Sequence, residues 1–492
     1  MRGTSNLTRR SVIIGGALAG GGVFAATSLW PDGGSEPQPL HVPELVDARR
    51  KSQSVDLTAS TGRTEFFPGT SSPTAGFNGP HLGPTLRVHR GDDVEMAVTN
   101  NLGEATTVHW HGLLIPGELD GGPHQTIRPG DTWRPVLPIR QPAATLWYHP
   151  HVHGRTANQV YAGLAGMLIV TDEEEQALDL PSEYGVDDLP IVLQDRQFEG
   201  GRLVLPSGMM DLMHGRRGDT LLVNGTPNPV ARVPRRLVRL RLVNGANARI
   251  YNLAFEDRRT FHWIASEGGL LEAPVAVKSL RLGPGERAEV LVDFSEGGPV
   301  ALETEPDTNA PMMMGRMMDL RARGAELVGA GGSRVLQFEP EGKATSRSVP
   351  THLATHERGN PASAVRRRRF VMQMGMGGMM SGGMGMFAIN DRAFRMDRVN
   401  EHIGLGDVEI WEVAGQMMEH PFHIHGVHFE VLGRNGSSPS ARDQGLRDTI
   451  VVREPVELLV RFTQPAEAAP FMYHCHILEH EDNGMMGQFA VT

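Results

Sequence analysis

The chain has 492 residues, which is enough for about three domains of ordinary size. Its formal net charge of −10 gives no electrostatic reason to expect a nucleic-acid partner. The 59 glycines and 34 prolines favour a turn-rich, all-β protein over a helical one. A single cysteine, Cys475, excludes an intramolecular disulfide, so packing and bound metal must supply the stability.

The N-terminal segment, residues 1–37, is predicted to be an export signal. Arg9 and Arg10 precede a weakly apolar run from Val12 to Leu29, and this arrangement resembles the twin-arginine signal that exports folded proteins. The run is nearly long enough to cross a membrane, so a retained anchor is the alternative, although five glycines weaken a spanning helix. We therefore expect export by a dedicated machinery to the periplasm, the cell envelope or the medium.

Alternating patterns predict strands along most of the chain. Val94, Met96 and Val98 alternate with smaller or polar residues, and leucines alternate with arginines over residues 239–243. A period of two indicates strands with one face in a core. The fold class expected from these strands is all-β and built from β-sandwiches.

Two parts of the sequence repeat each other at domain scale. The run that starts at Gly91 matches the run that starts at Gly406, and His109 and His423 follow at the same distance in the two copies. We infer an internal duplication, with a third sandwich between the copies that carries no metal. The predicted boundaries are a signal at 1–37, sandwiches at 38–180, 185–342 and 369–492, and a solvated linker at 343–368 that extends into the arginine run 366–369.

Four His-x-His pairs carry the chemistry of the sequence: His109/His111, His149/His151, His423/His425 and His474/His476. On a strand, residues i and i+2 point to the same face, so each pair presents two imidazoles side by side. Imidazole suits copper, zinc, iron and nickel. If the two copies face each other, eight imidazoles converge between the first and last sandwiches.

A second kind of site is predicted near the C-terminus. Cys475, His480 and Met485 are spaced five residues apart, and His420 lies upstream. Two histidines, a thiolate and an axial methionine are the ligand set of a blue-copper electron-transfer centre. Zinc would accept the cysteine and histidines, but it has no use for the methionine and no redox chemistry.

The position of Cys475 predicts a link between the two sites. Strand alternation sends its sulfur to one face and the rings of His474 and His476 to the other. An electron that enters at the cysteine would have a short bonded route to the histidine cluster. A copper-storage protein has no need for such a route.

These motifs resemble the four copper motifs of multicopper oxidases, and residues 244–249 resemble the second domain of that family. The matching segments are His109-Trp110-His111-Gly112, Trp147-Tyr148-His149-Pro150-His151, His420-Pro421-Phe422-His423-Ile424-His425 and His474-Cys475-His476-Ile477-Leu478-Glu479-His480. The resemblance implies three cupredoxin-like Greek-key β-sandwiches, four coppers and the reduction of O₂ to water. In the first sandwich Pro150 stands where the last has Cys475, so that copy should hold no blue copper.

The same resemblance implies a ligand for every copper position. The type 1 ligands would be His420, Cys475, His480 and Met485; the type 2 ligands would be His109 and His423; the type 3 ligands would be His111, His149, His151, His425, His474 and His476. Asp120 and Glu481 resemble the acidic residues that deliver protons in the family. The alternative for both is a solvated turn carboxylate.

Methionine is concentrated in residues 312–318 and 372–386, with two more just before His420. Glycine offers nothing to bury, so the glycine-interleaved run is not expected to be a compact core strand and should be mobile. Thioethers select Cu(I), and the run resembles the methionine-rich segments of bacterial cuprous oxidases. The predicted substrate-Cu(I) residues are Met372, Met374, Met376, Met379, Met380, Met384, Met386, Met417 and Met418. Gln416 departs from that family, because an acidic ligand is expected there.

The sequence therefore predicts an exported oxidase that couples one-electron oxidation of Cu(I) to the reduction of O₂. A laccase-like phenol oxidase is the first alternative, with the same chemistry and another donor. A non-enzymatic copper-binding scaffold of the cell envelope is the second. The expected partners are O₂ and a small electron donor, without an obligate protein partner.

Overall fold

The computed structural model describes residues 36–307, 309, 333–375 and 386–492. The predicted export signal lies outside these residues, so it stays a prediction. Among the described helices, none has both the length and the apolar character needed to cross a membrane.

The first sandwich is built from two mixed sheets, each with parallel and antiparallel strand pairs. One has the strand order β2-β5-β10-β9, and the other has the order β4-β3-β6-β7 with β8 also on β6. The elements up to residue 176 are β1 Gln38–Pro39, β2 Leu45–Asp47, β3 Ser54–Phe67, β4 Thr70–Phe77, β5 Thr85–His89, β6 Asp93–Asn101, β7 Thr132–Trp133, β8 Val136–Pro138, β9 Ala144–Tyr148, α1 Thr156–Ala162, β10 Gly166–Thr171 and α2 Glu173–Gln176.

The second sandwich carries the two widest sheets. The elements are β11 Asp188–Glu199, β12 Arg202–Val204, α3 Met209–His214, β13 Thr220–Val223, β14 Thr226–Pro227, β15 Pro229–Pro234, β16 Leu237–Asn244, β17 Tyr251–Phe255, β18 Phe261–Ser266, β19 Gly269–Val277, β20 Ser279–Leu282, β21 Arg287–Asp293, β22 Val300–Glu305 and β23 Ser333–Glu341. The strand orders are β1-β15-β23-β22-β17-β20 and β14-β13-β11-β16-β21-β18-β19, with β12 on β11. Strand β1 therefore belongs to this sandwich, although the sequence assigned it to the first.

The third sandwich pairs two five-stranded sheets, β25-β24-β27-β31-β29 and β26-β33-β32-β28-β30. Its elements are β24 Arg366–Met374, β25 Phe387–Ile389, β26 Glu401–Ile403, β27 Val408–Gly415, β28 His420–Ile424, β29 Phe429–Arg434, β30 Thr449–Val452, β31 Val456–Arg461, β32 Ala466–Cys475, α4 Leu478–Asp482 and β33 Met486–Val491. Short 3₁₀ turns occur at Ala48–Lys51, Gly117–Leu119, Pro361–Ser363 and Ala441–Asp443. The prediction of an all-β chain made of three sandwiches is confirmed.

Each sandwich has its own hydrophobic core. The alternating pattern predicted that Val94, Met96 and Val98 lie on the core face of a strand. All three are fully buried in the first core. A smaller cluster that includes Trp147 and Val243 joins the first sandwich to the second. These contacts hold the first and second sandwiches together without any metal.

The linker prediction is wrong at its C-terminal end. The arginine run 366–369 is the first half of β24, which pairs in parallel with β27. Arg368 is ion-paired with Glu409 at 2.6 Å and also with Glu401. A run of one residue type hides the period of two, because the buried and exposed positions look identical in the sequence.

Strand β16 also differs from its predicted pattern, because both of its faces are buried. Arg239 donates to Glu289 at 2.7 Å, and Arg241 donates to Asp188 at 2.7 Å and to Glu289 at 3.0 Å. Thr145 of the first sandwich donates to Glu289 at 2.6 Å. The arginine face, which alternation alone would send to solvent, is therefore a buried ionic contact between the first two sandwiches.

This contact predicts a dependence of stability on pH. Burial raises the pKa of Glu289, but Arg239 and Arg241 outweigh it, so the pKa is lowered to about 2. A carboxylate with a depressed pKa contributes stability that is present above about pH 4.5 and is lost as the pH falls towards 2. The shift corresponds to about 3 kcal/mol.

We expect Glu289→Gln to unfold at a lower temperature than the wild type at pH 6, because it leaves two buried arginines short of a partner. The difference should narrow as the pH falls from 5 to 3. The measurement is the thermal midpoint of both metal-free proteins across this range. A gap between the two midpoints that stays constant with pH would contradict the assignment.

Candidate metal centre

The four His-x-His pairs meet where the first and last sandwiches are in contact. In the first, His109 and His149 form an antiparallel bridge. In the last, His423 of β28 lies opposite His474 of β32. Because alternate residues of a strand share a face, each bridge brings the members of two pairs together. All eight rings are at most 1% exposed.

The eight imidazoles form two groups of three and one pair. The groups are His111, His149 and His476; His151, His425 and His474; and the pair His109 and His423. In each group of three, the candidate ligand nitrogens all lie within 4.8 Å of one another. The Nε2 atoms of the pair are 3.4 Å apart. Each group takes histidines from both sandwiches, so the cluster exists only at their contact.

Burial favours the neutral form of several of these imidazoles. It lowers the pKa of His423 to about 4, against the favourable effect of Asp448. It also lowers the pKa of His111, His149 and His476 well below the ordinary value, and neighbouring imidazoles add to the effect. Neutral imidazole is the form that binds a metal.

His476 supplies a direct test of whether a metal fits. Both of its ring nitrogens are buried and have no hydrogen-bond partner among the described residues. A buried polar atom without a partner is costly, and one common cause is a ligand or ion that completes the site. Nitrogen ligands from His111, His149 and His476 would accept copper, so the residues present fit this metal.

A separate site lies in the core of the third sandwich. The Sγ atom of Cys475 is 3.4 Å from Nδ1 of His420 and 3.7 Å from Nδ1 of His480. These residues and Met485 are fully buried. Burial lowers the pKa of His420 to about 4 and raises the pKa of the Cys475 thiol. Soft sulfur with two neutral imidazoles suits a copper ion better than a hard cation.

Cys475 joins this site to the histidine cluster. Its neighbours in the chain are His474 and His476, and each belongs to a different group of three. The sulfur faces His420 and His480, as strand alternation predicts. One peptide bond on either side of the cysteine therefore connects the two candidate metal sites.

Both predicted acidic residues lie against the cluster. Asp120 is 3% exposed, and its Oδ2 is 2.7 Å from Nδ1 of His425. The two carboxylate oxygens of Glu481 are 3.3 Å from Nδ1 of His151 and 3.2 Å from Nδ1 of His474. Neither residue is the solvated turn carboxylate that was the alternative.

Asp448 is a contact of the cluster that sequence reasoning missed. Its Oδ1 is 3.1 Å from Nε2 of His111, and its backbone carbonyl is 2.9 Å from Nδ1 of His423. Arg287 of the second sandwich donates to both carboxylate oxygens, at 2.7 and 2.6 Å. Burial raises the pKa of Asp448, but Arg287 and His111 hold it well below its usual range. No motif spacing marks Asp448, because its partners are distant in the chain.

The predicted methionine site is only partly described. Met376, Met379, Met380 and Met384 lie outside the described residues, as does the segment 312–318. The expectation that the run is not a core strand is wrong at its start, because Met372 and Met374 close β24 in the third core. Met386 is also buried there, but it lies outside any strand. The glycines begin only at Gly375, so the alternation of the strand survives up to that point.

The two methionines before His420 differ in exposure. Met417 is 56% exposed and has a positive φ of 67°, whereas Met418 is 3% exposed. Gln416 accepts from Nε2 of His420 through its backbone carbonyl at 3.1 Å. Met417 is therefore the described methionine of the predicted set that reaches solvent beside the cysteine site.

Helix α3 of the second sandwich covers the cysteine site, and the sequence analysis missed it. The backbone carbonyl of Met213 accepts from Nε2 of His480 at 3.2 Å. The helix also carries Met209, which is 50% exposed, and Met210. Three methionines in six residues were the signal that could have identified it.

Comparison with known proteins gives a consistent family. Family models described as multicopper oxidase match residues 58–175, 202–300 and 365–492. The chain is 40% identical over 463 residues to the cell division protein FtsP of Xenorhabdus nematophila, with 93% of each chain covered.

Two solved structures are similar over nearly their whole length. The laccase-like multicopper oxidase CueO of Ochrobactrum sp., which has oxidase activity towards lignin model compounds and lignosulfonate, is 41% identical with a TM-score of 0.84, covering 92% of this chain and 100% of that one. The multicopper oxidase of Campylobacter jejuni, described as a metallo-oxidase, is 30% identical with a TM-score of 0.80, covering 94% and 97%.

The contact between Asp448 and His111 predicts an effect on metal retention. Residues that orient metal-bound histidines typically change metal affinity by about 10–100-fold. We expect Asp448→Asn to lose half of its metal at a chelator concentration about 10–100-fold lower than the concentration that the wild type requires. The matched control is Asp443→Asn, which removes a buried carboxylate that is paired with Arg434 and contacts no histidine of the described chain. Equal retention by both variants would contradict the role of Asp448.

Proposed function

This chain belongs to the multicopper oxidase family, and we propose that it is a copper-loaded oxidase that oxidises Cu(I) and reduces O₂ to water. The observation that carries the proposal is the position of Cys475. Its sulfur lies with two buried imidazoles, and its two chain neighbours each enter a different group of three histidines. A protein that only stores copper gains nothing from this connection.

We assign four coppers to the described ligands. His420, Cys475, His480 and Met485 would hold the type 1 copper, His109 and His423 the type 2 copper, and His111, His149, His476, His151, His425 and His474 the type 3 pair. When bound, the copper ions supply one-electron acceptance at the cysteine and four-electron reduction of O₂ at the cluster. The chain supplies neutral imidazoles, a short bonded path and exclusion of bulk water.

Asp120 and Glu481 are proposed to serve the protons that O₂ reduction consumes. Both carboxylates are buried and lie within 3.3 Å of a ring nitrogen in the cluster. A carboxylate so placed can hold a proton or orient a water beside the reacting oxygen. The two residues approach the cluster through different histidines.

Cu(I) as the donor is supported by the surroundings of His480 and His420. Both rings are fully buried, and their outer nitrogens are bonded to backbone carbonyls of Met213 and Gln416. A large phenol has no exposed imidazole edge to contact here. The exposed thioethers of Met209 and Met417 lie on the same two segments, and thioether selects Cu(I).

Two other functions are favoured by particular relatives. The oxidase activity of the Ochrobactrum protein towards lignin model compounds favours a laccase-like phenol oxidase. The name of the Xenorhabdus relative favours a scaffold in cell division. A scaffold does not require the paired metal sites, and a phenol oxidase does not require the exposed methionines. In all three cases we propose that the protein works outside the cytoplasm after twin-arginine export.

The type 1 assignment is tested with Cys475→Ser. Serine removes the soft ligand and the bonded path together, so the blue absorption and O₂ consumption should both disappear. Three of the four coppers should remain, because the histidine groups are untouched. Copper analysis, visible spectra and oxygen uptake measure this, with Met472→Leu on the same strand as the control. Undiminished oxygen uptake by the serine variant would refute the route.

The donor is tested with Met209→Leu combined with Met417→Leu. Leucine keeps the volume and removes the thioethers, so kcat/KM for Cu(I) should fall by about tenfold, or ~1.4 kcal/mol of transition-state stabilisation. Oxidation of 2,6-dimethoxyphenol should not fall. Met396→Leu, another exposed methionine, is the control. If wild-type protein oxidises the phenol but not Cu(I), the laccase-like function replaces this one; if it oxidises neither while loaded with copper, the scaffold does.

A further inference from the structure

A cleft of about 770 Å³ lies between the second and third sandwiches, and its lining contains none of the cluster histidines. One wall comes from β18 to β21 of the second sandwich, and the other comes from the segments around β28 to β31 of the third. The volume is in the range of small-molecule sites. Nothing in the oxidase chemistry described above uses this space.

The inner part of the cleft is apolar. Trp263 lines it and is 3% exposed, with half-buried Val275, Val277 and Leu280 beside it. The ring nitrogen of Trp263 donates to the backbone carbonyl of Ala265, so the indole presents only carbon to the cleft. Such a surface suits a flat apolar or aromatic body.

Arginine dominates the polar part of the cleft. Six arginines and three glutamates line it. Four of the arginines are ion-paired: Arg281 with Glu419, Arg287 with Asp448, Arg434 with Asp443 and Arg447 with Glu267. The guanidinium groups of the other two, Arg442 and Arg453, have no carboxylate partner in the described part of the chain, and both residues are exposed.

Arg447 adds an independent sign of a missing ligand. The residue is 9% exposed and lines the cleft, and its guanidinium carbon lies 5.6 Å from the centroid of the Trp263 ring. Two of its nitrogens are used, by Glu267 and by the backbone carbonyl of Arg442. Its Nε–H is buried and has no acceptor within the described part of the chain. A buried charged donor without an acceptor is costly, and the oxygen of a bound ligand would supply the acceptor.

We propose that this cleft binds a small aromatic anion, with its ring against Trp263 and its carboxylate or sulfonate among Arg442, Arg447 and Arg453. Guanidinium groups bind the oxygens of such anions through paired N–H donors, and the apolar wall accepts the ring. The proposal rests on the cleft alone and does not depend on copper or on the donor that the enzyme oxidises.

The probe is 4-fluorobenzoate, titrated with the full-length, copper-loaded protein and followed by fluorine NMR. It is not a phenol, so binding is measured without turnover. We expect saturable binding with a Kd of about 1 mM or tighter, and binding at least tenfold weaker for 4-fluorobenzyl alcohol, which has the same ring without the charge.

Arg442→Gln combined with Arg453→Gln should weaken the binding of 4-fluorobenzoate by about tenfold. Both residues are exposed, so the fold should not change. Arg366→Gln, which removes an exposed arginine outside the cleft, is the matched control and should bind as the wild type does. Val277→Glu should abolish binding, because it places a negative charge on the apolar wall and this charge repels the anion.

Three results would overturn the proposal. The first is equal affinity of the wild type for the alcohol and the acid. The second is unchanged affinity of the double arginine variant for 4-fluorobenzoate. The third is a loss of affinity in Arg366→Gln as large as the loss in the double variant. Binding that survives both arginine substitutions but is displaced by azide would assign the anion to copper rather than to the cleft.

Discussion

The structure depends on one constraint, the burial of eight imidazoles at the contact between the first and last sandwiches. Burial removes each ring from water, and seven of the eight rings have one nitrogen that faces a nitrogen of another ring. Without a metal, several of these nitrogens lack a complementary hydrogen-bond partner. Both ring nitrogens of His476 are the clearest example among the described residues. A metal ion resolves this mismatch, so the same arrangement that weakens the metal-free protein stabilises the loaded one.

The second sandwich has no histidine in any of the groups found among the described residues, yet it supports both metal sites. Arg287 reaches Asp448, which in turn contacts His111. On the other side, Asn247 donates to Glu479 at 2.8 Å and so fixes the helix that carries His480. The second sandwich thus positions candidate ligands that belong to its two neighbours.

Much of the site could be predicted from the sequence because strand geometry is local. A period of two places both members of a His-x-His pair on one face, and it separates the sulfur of Cys475 from its neighbours. The partners that come from other domains could not be predicted in this way. Asp448 and Met213 meet the histidines only through folding, and no spacing in the chain records the contact.

The same limit explains the errors in the fold. Alternation distinguishes an apolar face from a polar one, but it does not show where a polar face is buried against another domain. Arg239 and Arg241 are on such a face, and a carboxylate on each neighbouring strand made their burial possible. The linker prediction for residues 366–369 was wrong for a different reason, because four identical residues show no alternation between two faces.

The sharing of each histidine group between two sandwiches has a consequence for biosynthesis. His109 and His423 are separated by 314 residues, so the ribosome completes the first half of the cluster long before the second exists. Early in translation the first four histidines can form at most a partial site. Full occupancy therefore reports that the chain has been finished and that its most distant parts have docked. In this respect metal binding by the complete cluster cannot precede the docking of the first and last sandwiches.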